Sequence, residues 1–145
     1  MKIRNINQKD SKDLFKWRNN YESKNISFEI KKITLKEHEK WFKESNISPN
    51  KTLYLGDYNG IKIGVCRYEF SSKKNISEIL ININPNERVK GYGKNLLTND
   101  IKTYFKNKNC ILIAKIKVDN IFSFQLFNSA GFLATKKKKE PSLWN

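Results

Sequence analysis

The chain has few of the residues that hold metal ions or cross-link a fold: its 145 residues include two cysteines and one histidine. Structural zinc sites take four ligands, mostly Cys and His, so we expect no metal ion. Cys66 and Cys110 each lie inside an apolar, strand-like run. This placement favours buried thiols over a disulfide.

Long apolar runs are also missing. No stretch reaches the roughly 20 apolar residues of a membrane-spanning helix, so we expect no membrane partner. Residues 1–5 lack the apolar core of a signal peptide, which favours a cytoplasmic location. Because no repeat or linker-like stretch divides the sequence, residues 1–145 are predicted to form a single domain with a substantial core.

Acidic residues are scarce relative to basic ones: 14 Asp and Glu stand against 29 Lys and Arg, for a net charge of +15. Such an excess can drive non-specific binding to nucleic-acid phosphates. The basic residues are nearly all lysines, however, spread along the chain without a cluster of interleaved aromatic residues. Base readers use arginine forks and single-strand binders use stacking aromatics, so the pattern argues against a nucleic-acid partner.

The N-terminal part of the sequence predicts one strand and two helices. Residues 2–5 read as a short strand and residues 10–20 as a helix with one apolar side. Thr34, followed three residues later by Glu37, forms a capping-box pattern. A second helix is therefore predicted to begin there and to end near Ser45.

The rest of the sequence begins with a hairpin signal, Asn59-Gly60, between two strand-like runs. The basic run at residues 136–139 is predicted to be a solvated strand or tail. We predict three antiparallel strands at residues 52–58, 61–70 and 76–83. A helix at 94–106, a strand at 110–117 and a helix at 123–130 are predicted to follow, and one or two final strands to end the chain.

The most informative segment joins a strand-like run to a helix-like run through Arg88-x-x-Gly91-x-Gly93. Glycines let the main chain approach a ligand closely and adopt φ values that other residues avoid. The free N–H groups and the dipole at the start of the next helix favour an anion. The pattern predicts a phosphate-binding turn, with a purely structural turn as the alternative. It lacks the third glycine of a dinucleotide fingerprint and the Gly-Lys-Ser/Thr of a Walker loop.

This Arg-x-x-Gly-x-Gly motif resembles the acetyl-CoA pyrophosphate loop of the GNAT superfamily of N-acetyltransferases. The order of the elements around it, ending in Gly131-Phe132, is also similar to that superfamily. The resemblance implies an α+β fold with a central mixed, largely antiparallel sheet. That sheet is splayed at the cofactor site and carries helices on both faces. It also implies that acetyl-CoA is the cosubstrate of an N-acetyltransferase acting on a primary amine.

The N-terminal half is similar to a narrower group. Trp17-Arg18-Asn19 followed by His38-x-x-Trp41-Phe42 resembles the acetyltransferases of UDP-linked 4-amino-4,6-dideoxy sugars in pseudaminic acid pathways. This makes a sugar nucleotide the favoured acceptor. A ribosomal-protein or peptide N-terminal acetyltransferase is an alternative of the same class. A non-catalytic domain that binds acyl-CoA or nucleic acid is an alternative of another class. A homodimer is one arrangement that the resemblance allows, and the sequence leaves it open.

For the donor site, the resemblance implies a slot between two splayed strands that admits the pantetheine arm of acetyl-CoA. Main-chain groups of Ile81 and Ile83 then pair with the pantetheine amides. Asn120, Ser123 and Phe127 match the second stretch that contacts the cofactor, although Asn120 also fits a helix N-cap. The pyrophosphate is predicted to be held by the glycine loop, through Arg88, Val89, Lys90, Gly91, Tyr92, Gly93 and Lys94.

Acetylation of an amine needs a base for the amine, support for the oxyanion and a proton for the thiolate. The resemblance places Glu78 as the base, with a solvent-facing strand residue as the alternative. A main-chain N–H near Ile81 is predicted to support the oxyanion. Many members of the superfamily have a tyrosine acid where this chain has Phe127, which has no proton to donate. A water, Ser123 or the ammonium of the substrate is left to protonate the thiolate.

For the acceptor site, Arg18 and His38 match positions that hold the nucleotide part of the substrate in the sugar-nucleotide enzymes. A guanidinium and an imidazole can stack on a uracil ring from opposite sides. Trp41 is predicted to wall this pocket and Arg67 to be a further phosphate partner. The alternative for His38 is an exposed position on a charged helix. For Trp17, Trp41 and Phe42 the alternative is ordinary packing of a helix on the sheet.

Overall fold

The structure is a computed structural model that describes residues 1–20 and 32–135, together with the backbone of residues 143–144. The predicted run at residues 136–139 lies outside the described residues. In chain order, the described elements are β1 (Lys2–Asn5), α1 (Ser11–Asn19), α2 (Leu35–Ile47), β2 (Lys51–Tyr58), β3 (Ile61–Ser71), β4 (Ile76–Ile83), α3 (Tyr92–Tyr104), β5 (Ile111–Ile113), β6 (Ile116–Lys117), α4 (Ile121–Ser129) and β7 (Leu143–Trp144).

Local signals place the ends of several elements as predicted. The Thr34 hydroxyl accepts a hydrogen bond from the Glu37 N–H at 3.2 Å, and the Glu37 carboxylate accepts one from the Thr34 N–H at 3.3 Å. These reciprocal bonds begin α2. Asn59 and Gly60 have φ values of 52° and 81°, as the tight turn between β2 and β3 requires. The capping box and the hairpin are thus confirmed.

Strands β1 to β5 form one sheet in sequence order, antiparallel except for the parallel pair β4 and β5. On one face, α1 and α2 bury an apolar cluster that includes Leu14, Trp17 and Phe42. On the other face, α3 and α4 bury a larger cluster that includes Leu96 and Leu126. The predicted α+β fold, with a largely antiparallel sheet and helices on both faces, is confirmed.

The residues predicted to form one strand at 110–117 form two, and this corrects the prediction. β5 pairs with β4 only from Ile76↔Ile111 to Glu78↔Ile113. The chain then leaves the sheet at residues 114–115, and β6 pairs with β7 in a separate two-stranded sheet. The parallel strands therefore part after Glu78, which is the predicted splay.

Polar side chains are buried between the sheet and α3. Asp100 has no exposed surface, and its Oδ1 accepts a hydrogen bond from the Tyr68 hydroxyl at 2.5 Å. Burial raises the pKa of Asp100 to about 7, against the opposing effect of hydrogen bonds from Tyr68 and Cys66. Burial also raises the pKa of the Cys66 thiol, which is fully buried as predicted. Cys110 is a free, half-buried thiol whose Sγ donates to Ser77 Oγ at 3.4 Å.

Among the helices that the structure describes, none has both the length and the apolar character needed to cross a bilayer. Within the same part of the chain, no three His, Cys, Asp or Glu side chains gather where they could hold a metal ion.

Replacing Asp100 by Asn is expected to change how stability depends on pH. With a folded pKa raised to about 7 from 3.8, Asp100 takes up a proton on folding between those pH values. Its contribution to stability therefore falls as pH rises through that window, by up to about 1.4 kcal/mol per unit. Asp100→Asn should gain stability relative to the parent protein between pH 5 and pH 7, measured by denaturant unfolding.

The exposed Asp119 provides a matched control. Asp119→Asn should follow the pH profile of the parent protein. Parallel profiles for Asp100→Asn and the parent would contradict the raised pKa.

Candidate active site

The gap between β4 and β6 opens into a cleft of about 350 Å³. Its walls come from β3, β4, β6 and the beginning of α4, from two residues of α1, and from single residues of α2 and β2. The lining residues are Leu14, Arg18, Trp41, Leu53, Val65, Arg67, Glu69, residues 78–82, residues 115–117, Asn120, Ser123 and Phe127. Eight of the residues predicted for the site line it: Arg18, Trp41, Arg67, Glu78, Ile81, Asn120, Ser123 and Phe127.

The main chain of β4 presents hydrogen-bonding groups to this gap. The Asn84 N–H donates to the Ile63 carbonyl on the β3 side at 2.8 Å. In a strand, the N–H and C=O groups of successive residues alternate between the two sides, and the register of β3 and β4 shows no bulge. The peptide groups of Ile79, Ile81 and Ile83 therefore point away from β3. Strand register gives the Ile79 N–H to Ile113 of β5, and the Ile83 carbonyl accepts from Arg88 Nε. The Ile79 carbonyl, both groups of Ile81 and the Ile83 N–H are oriented to pair with an extended chain lying in the gap.

The glycine turn at the start of α3 has a left-handed backbone at Gly91. This residue has φ 81° and is the helix N-cap, without a side-chain capping bond. The N–H groups of the first helical turn, beginning at Tyr92, point out of the helix end. Val89 also has a positive φ, of 62°, and its side chain is 95% exposed.

Gly93 does not have the unusual φ value that the motif suggested. It lies inside α3 and is not among the residues with positive φ. A Cβ atom added there would lie 3.3 Å from Leu126 Cδ1. Close packing of α3 against α4 therefore explains this glycine. Its contact with a pyrophosphate stays a prediction.

The charged side chains of the glycine turn have protein partners. Arg88 Nε donates to the Ile83 carbonyl at 3.3 Å, and its Nη2 donates to Asn82 Oδ1 at 3.2 Å. These bonds tie the turn to the end of β4. Lys90 Nζ lies 3.1 Å from Glu87 Oε2, and Lys94 is exposed. Contacts of Arg88, Lys90 and Lys94 with a pyrophosphate stay predictions.

Asn120 and Ser123 form a hydrogen-bonded pair at the start of α4. Asn120 Oδ1 accepts from the Ser123 N–H at 3.1 Å, and Asn120 Nδ2 donates to Ser123 Oγ at 2.9 Å. The N-cap alternative for Asn120 is thereby confirmed. One turn further along, the Phe127 ring packs edge-to-face on Phe132, with centroids 5.0 Å apart.

The structure places Glu78 on the cleft side of the sheet. Strand register puts it directly opposite Glu69 of β3, on the face that α1 and α2 cover. Glu78 Oε2 lies 3.5 Å from Lys115 Nζ, and the Glu78 side chain is 38% exposed. Its carboxylate thus lies beside the point where β4 and β5 part.

Sequence reasoning did not find Glu69, Lys115 or Asn82 as site residues. Glu69 could have been found only from the register of the hairpin strands. Lys115 follows the break between β5 and β6, which has no local sequence signal. Asn82 is tied to the glycine turn through Arg88, a contact between residues six positions apart.

Two arginines lie close to one tryptophan on the side of the cleft formed by α1, α2 and β3. The guanidinium carbon of Arg18 is 4.2 Å from the centroid of the Trp41 ring, and that of Arg67 is 5.4 Å away. Both distances fall within the range of cation–π contacts. The predicted acceptor residues Arg18, Trp41 and Arg67 are therefore brought together.

His38 lies behind this group. Its side chain has no exposed surface, and its Nε2 and Nδ1 lie 2.9 Å from the Ser11 carbonyl oxygen and 3.1 Å from Arg18 Nη1. Because a carbonyl only accepts and a guanidinium only donates, Nε2 carries the hydrogen and Nδ1 accepts from Arg18. Burial lowers the pKa of His38, which favours this neutral form.

The predicted contact between His38 and a nucleotide is therefore wrong, and so is the exposed alternative. His38 holds Arg18 in place instead. The glutamates that flank His38 in the sequence suggested an exposed position on the helix. Local charge does not reveal that this side of α2 packs on α1. The packing alternative is confirmed for Trp17 and Phe42, which are 5% and 1% exposed.

A parted parallel pair of strands beside a glycine turn, with helices on both faces, defines the acyl-CoA-dependent acetyltransferase class of folds. The chain belongs to the acetyltransferase (GNAT) domain family, whose model matches residues 3–143. Enzymes of this family take the acetyl group from acetyl-CoA, and the protein is accordingly an acetyltransferase.

Solved structures with this fold include enzymes that act on different amines. Spermidine N-acetyltransferase from Vibrio cholerae, in complex with CoA and spermine, has a TM-score of 0.87 at 17% identity, covering 99% of this chain and 91% of that one. Ribosomal-protein-alanine N-acetyltransferase from Brucella melitensis has a TM-score of 0.81 at 22% identity, covering 99% and 96%. The Campylobacter jejuni N-acetyltransferase PseH has a TM-score of 0.72 at 20% identity, covering 99% and 93%.

These identities show a shared fold and leave the acceptor undetermined. No curated protein matches the sequence.

Replacing Gly91 by Val tests the glycine turn. A β-branched residue at φ 81° is strained, and its side chain would stand where the main chain is expected to meet the pyrophosphate. We expect acetyl-CoA affinity, measured by calorimetry, to fall at least about tenfold, a loss of roughly 1.4 kcal/mol.

Gly60 is a matched control, because it has the same φ of 81° and the same open surroundings but lies in the β2–β3 hairpin. Gly60→Val should cost similar stability and leave acetyl-CoA affinity unchanged. Equal affinities for the two variants would argue against a pyrophosphate site at Gly91.

Proposed function

We propose that the protein transfers the acetyl group of acetyl-CoA to the primary amine of a small substrate that also carries an anionic group. The favoured acceptor is a UDP-linked 4-amino-4,6-dideoxy sugar. The observation that carries this proposal is the order of groups in one cleft: the strand gap, then the Glu78 carboxylate, then the Arg18 and Arg67 guanidiniums around Trp41.

The charges of the cleft suit a substrate with two unlike ends. Glu78 and Glu69 lie beside the strand gap, where an amine must meet the thioester. Arg67 lies opposite Leu80, which is two residues beyond Glu78 on β4. This separation corresponds to about 7 Å along the strand. Arginine favours phosphate, and a guanidinium beside an indole ring favours a flat base. An amino sugar joined to a nucleotide diphosphate has these parts in this order.

A polyamine, the acceptor in the spermidine enzyme, fits the side of the cleft that carries Arg18 and Arg67 poorly, because two guanidiniums repel a polycation. A ribosomal-protein or peptide N-terminal amine lacks a nucleotide for the arginines to hold. A non-catalytic domain that binds acyl-CoA or nucleic acid would release no thiol. A single domain over residues 1–145, a cytoplasmic location and a homodimer stay predictions.

The residues of the cleft can supply each step of the transfer. The Glu78 carboxylate takes the proton of the amine, directly or through water. The main-chain N–H of Ile81, which points into the gap, supports the oxyanion. Because Asn120 donates to Ser123 Oγ, the Ser123 hydroxyl can direct its own hydrogen to the departing thiolate. Phe127 takes no part in proton transfer.

Replacing Glu78 by Gln tests the general base. Gln cannot accept the amine proton, so the rate should fall most at pH values where the substrate amine is protonated. We expect a loss of about 100-fold in kcat/KM near pH 7 and a smaller one near pH 10, measured by thiol release.

Glu69→Gln removes the same charge from the opposite strand position. It should change the rate by a similar factor at every pH. A small and uniform loss for Glu78→Gln as well would contradict the assignment of Glu78.

Replacing Arg18 by Gln tests the acceptor site. UDP should compete with the acceptor, and Arg18→Gln should weaken UDP binding about 10- to 100-fold by removing a charge-assisted contact. Affinity for acetyl-CoA should be unchanged. His38→Ala should weaken UDP binding to a smaller extent, since it only releases Arg18.

Lys16→Gln removes a positive charge from the same helix at an exposed position. It should leave UDP affinity within about twofold of the parent. Absence of UDP binding, together with turnover of a peptide N-terminal amine, would favour the ribosomal-protein or peptide alternative.

A further inference from the structure

Lys115 places an amine of the protein itself inside the acceptor cleft. It follows the end of β5, at the point where the chain leaves the sheet. Its side chain lines the cleft and is 40% exposed. Its Nζ lies 3.5 Å from Glu78 Oε2. A primary amine therefore lies beside the carboxylate that we assign as the base.

We infer that Lys115 is a site of self-acetylation, modified by the acetyl-CoA bound in its own cleft. This inference rests on the proposed function. It adds a second acceptor, a lysine amine of the same chain, that acts when the small substrate is absent.

The geometry supports transfer within one molecule. The Ile79 carbonyl and the peptide groups of Ile81 point into the gap where the thioester is expected, and both residues line the same cleft as Lys115. A flexible four-carbon side chain on the facing wall can bring its Nζ to that gap. Holding the two reactants in one cleft replaces a bimolecular collision, an advantage that can exceed 10⁵ M in effective concentration.

The step balances without any further reactant. Glu78 takes a proton from the Lys115 ammonium, and the Nζ lone pair forms a bond to the thioester carbonyl carbon. The C–S bond breaks and its electron pair leaves on sulfur. As the C–S bond breaks, the nitrogen gives up its second proton. Of the two protons lost by the nitrogen, one ends on the thiolate, through Glu78 or water, and the other is released to solvent. One acetyl-lysine, one CoA thiol and one free proton result.

Two other lysines of the described residues, Lys62 and Lys90, lack this combination. Lys62 Nζ lies 2.8 Å from both Asp10 and Asp13, and it does not line the cleft. Lys90 pairs with Glu87 outside the cleft. Lys117 also lines the cleft, two residues beyond Lys115 on β6. Lys115 thus combines the cleft position with proximity to a base.

Acetylation would alter the cleft. It removes the positive charge of Lys115 and ends its ion pair with Glu78. The added acetamide group would occupy space beside the base, where the acceptor amine must bind. We therefore expect acetylated protein to turn over its acceptor more slowly.

The experiment incubates the full chain with ¹³C-labelled acetyl-CoA and no acceptor, and follows each lysine by peptide mass spectrometry. The exposed Lys73 and Lys74 report the uncatalysed background. Lys115 should be acetylated at least about tenfold faster than either, at a rate independent of protein concentration. One CoA thiol should appear for each Lys115 acetyl group.

Three comparisons make the result specific. Excess desulfo-CoA fills the donor site without carrying an acetyl group. It should lower the acetylation rate of Lys115 to the background and leave the rates of Lys73 and Lys74 unchanged. Glu78→Gln should slow the acetylation of Lys115 and of no other lysine. Preincubation with acetyl-CoA should slow later acceptor turnover in the parent protein but not in Lys115→Arg, which keeps the charge and cannot accept the acetyl group.

Acetylation of Lys115 at the rate of Lys73, or acetylation insensitive to desulfo-CoA, would overturn the inference. So would a rate that rises with protein concentration. If a small amine is turned over while Lys115 stays unmodified, the inference fails and the proposed function stands. If Lys115 is acetylated but no small amine releases thiol, the proposed acceptor fails and the inference stands.

Discussion

The loss of main-chain pairing along one edge of β4 is the constraint on which the rest of the site depends. Up to Glu78 the strand is paired on both sides, and beyond it β5 has left the sheet. Buried peptide groups cost free energy unless they find partners. The N–H and C=O groups of Ile81 and the N–H of Ile83 are consequently available where a neighbouring strand would have paired with them. The core holds this gap open because α3 and α4 pack under β4 while β6 pairs elsewhere.

The same parting of the strands organises the chemistry. It exposes the peptide edge of β4 to one side and leaves the even-numbered side chains of β4 facing α1 and α2. Main-chain donors and the Glu78 side chain therefore reach one cleft from a single strand. The break between β5 and β6 also places Lys115 in the cleft, beside Glu78. The proposed donor slot, the proposed base Glu78 and the amine of Lys115 thus lie together because of one break in pairing.

His38 shows how a buried residue can shape a binding surface without touching a ligand. Its neutral ring is held by the Ser11 carbonyl and accepts from Arg18, which in turn lies against Trp41. A fully ordered guanidinium loses less side-chain entropy when it binds an anion. The predicted acceptor residue His38 is thus buried behind Arg18, and its role in the proposed site is support of Arg18 rather than contact with the substrate.

Local sequence determined the elements and the turn chemistry of this protein. The capping box at Thr34, the Asn59-Gly60 turn and the glycine turn at Gly91 depend on neighbouring residues, so their outcome could be predicted. Tertiary structure alone decided the face of Glu78, the burial of His38, the packing role of Gly93 and the place of Lys115. Each of these depends on strand register or on contacts between elements distant in sequence, for which a single chain carries no local signal.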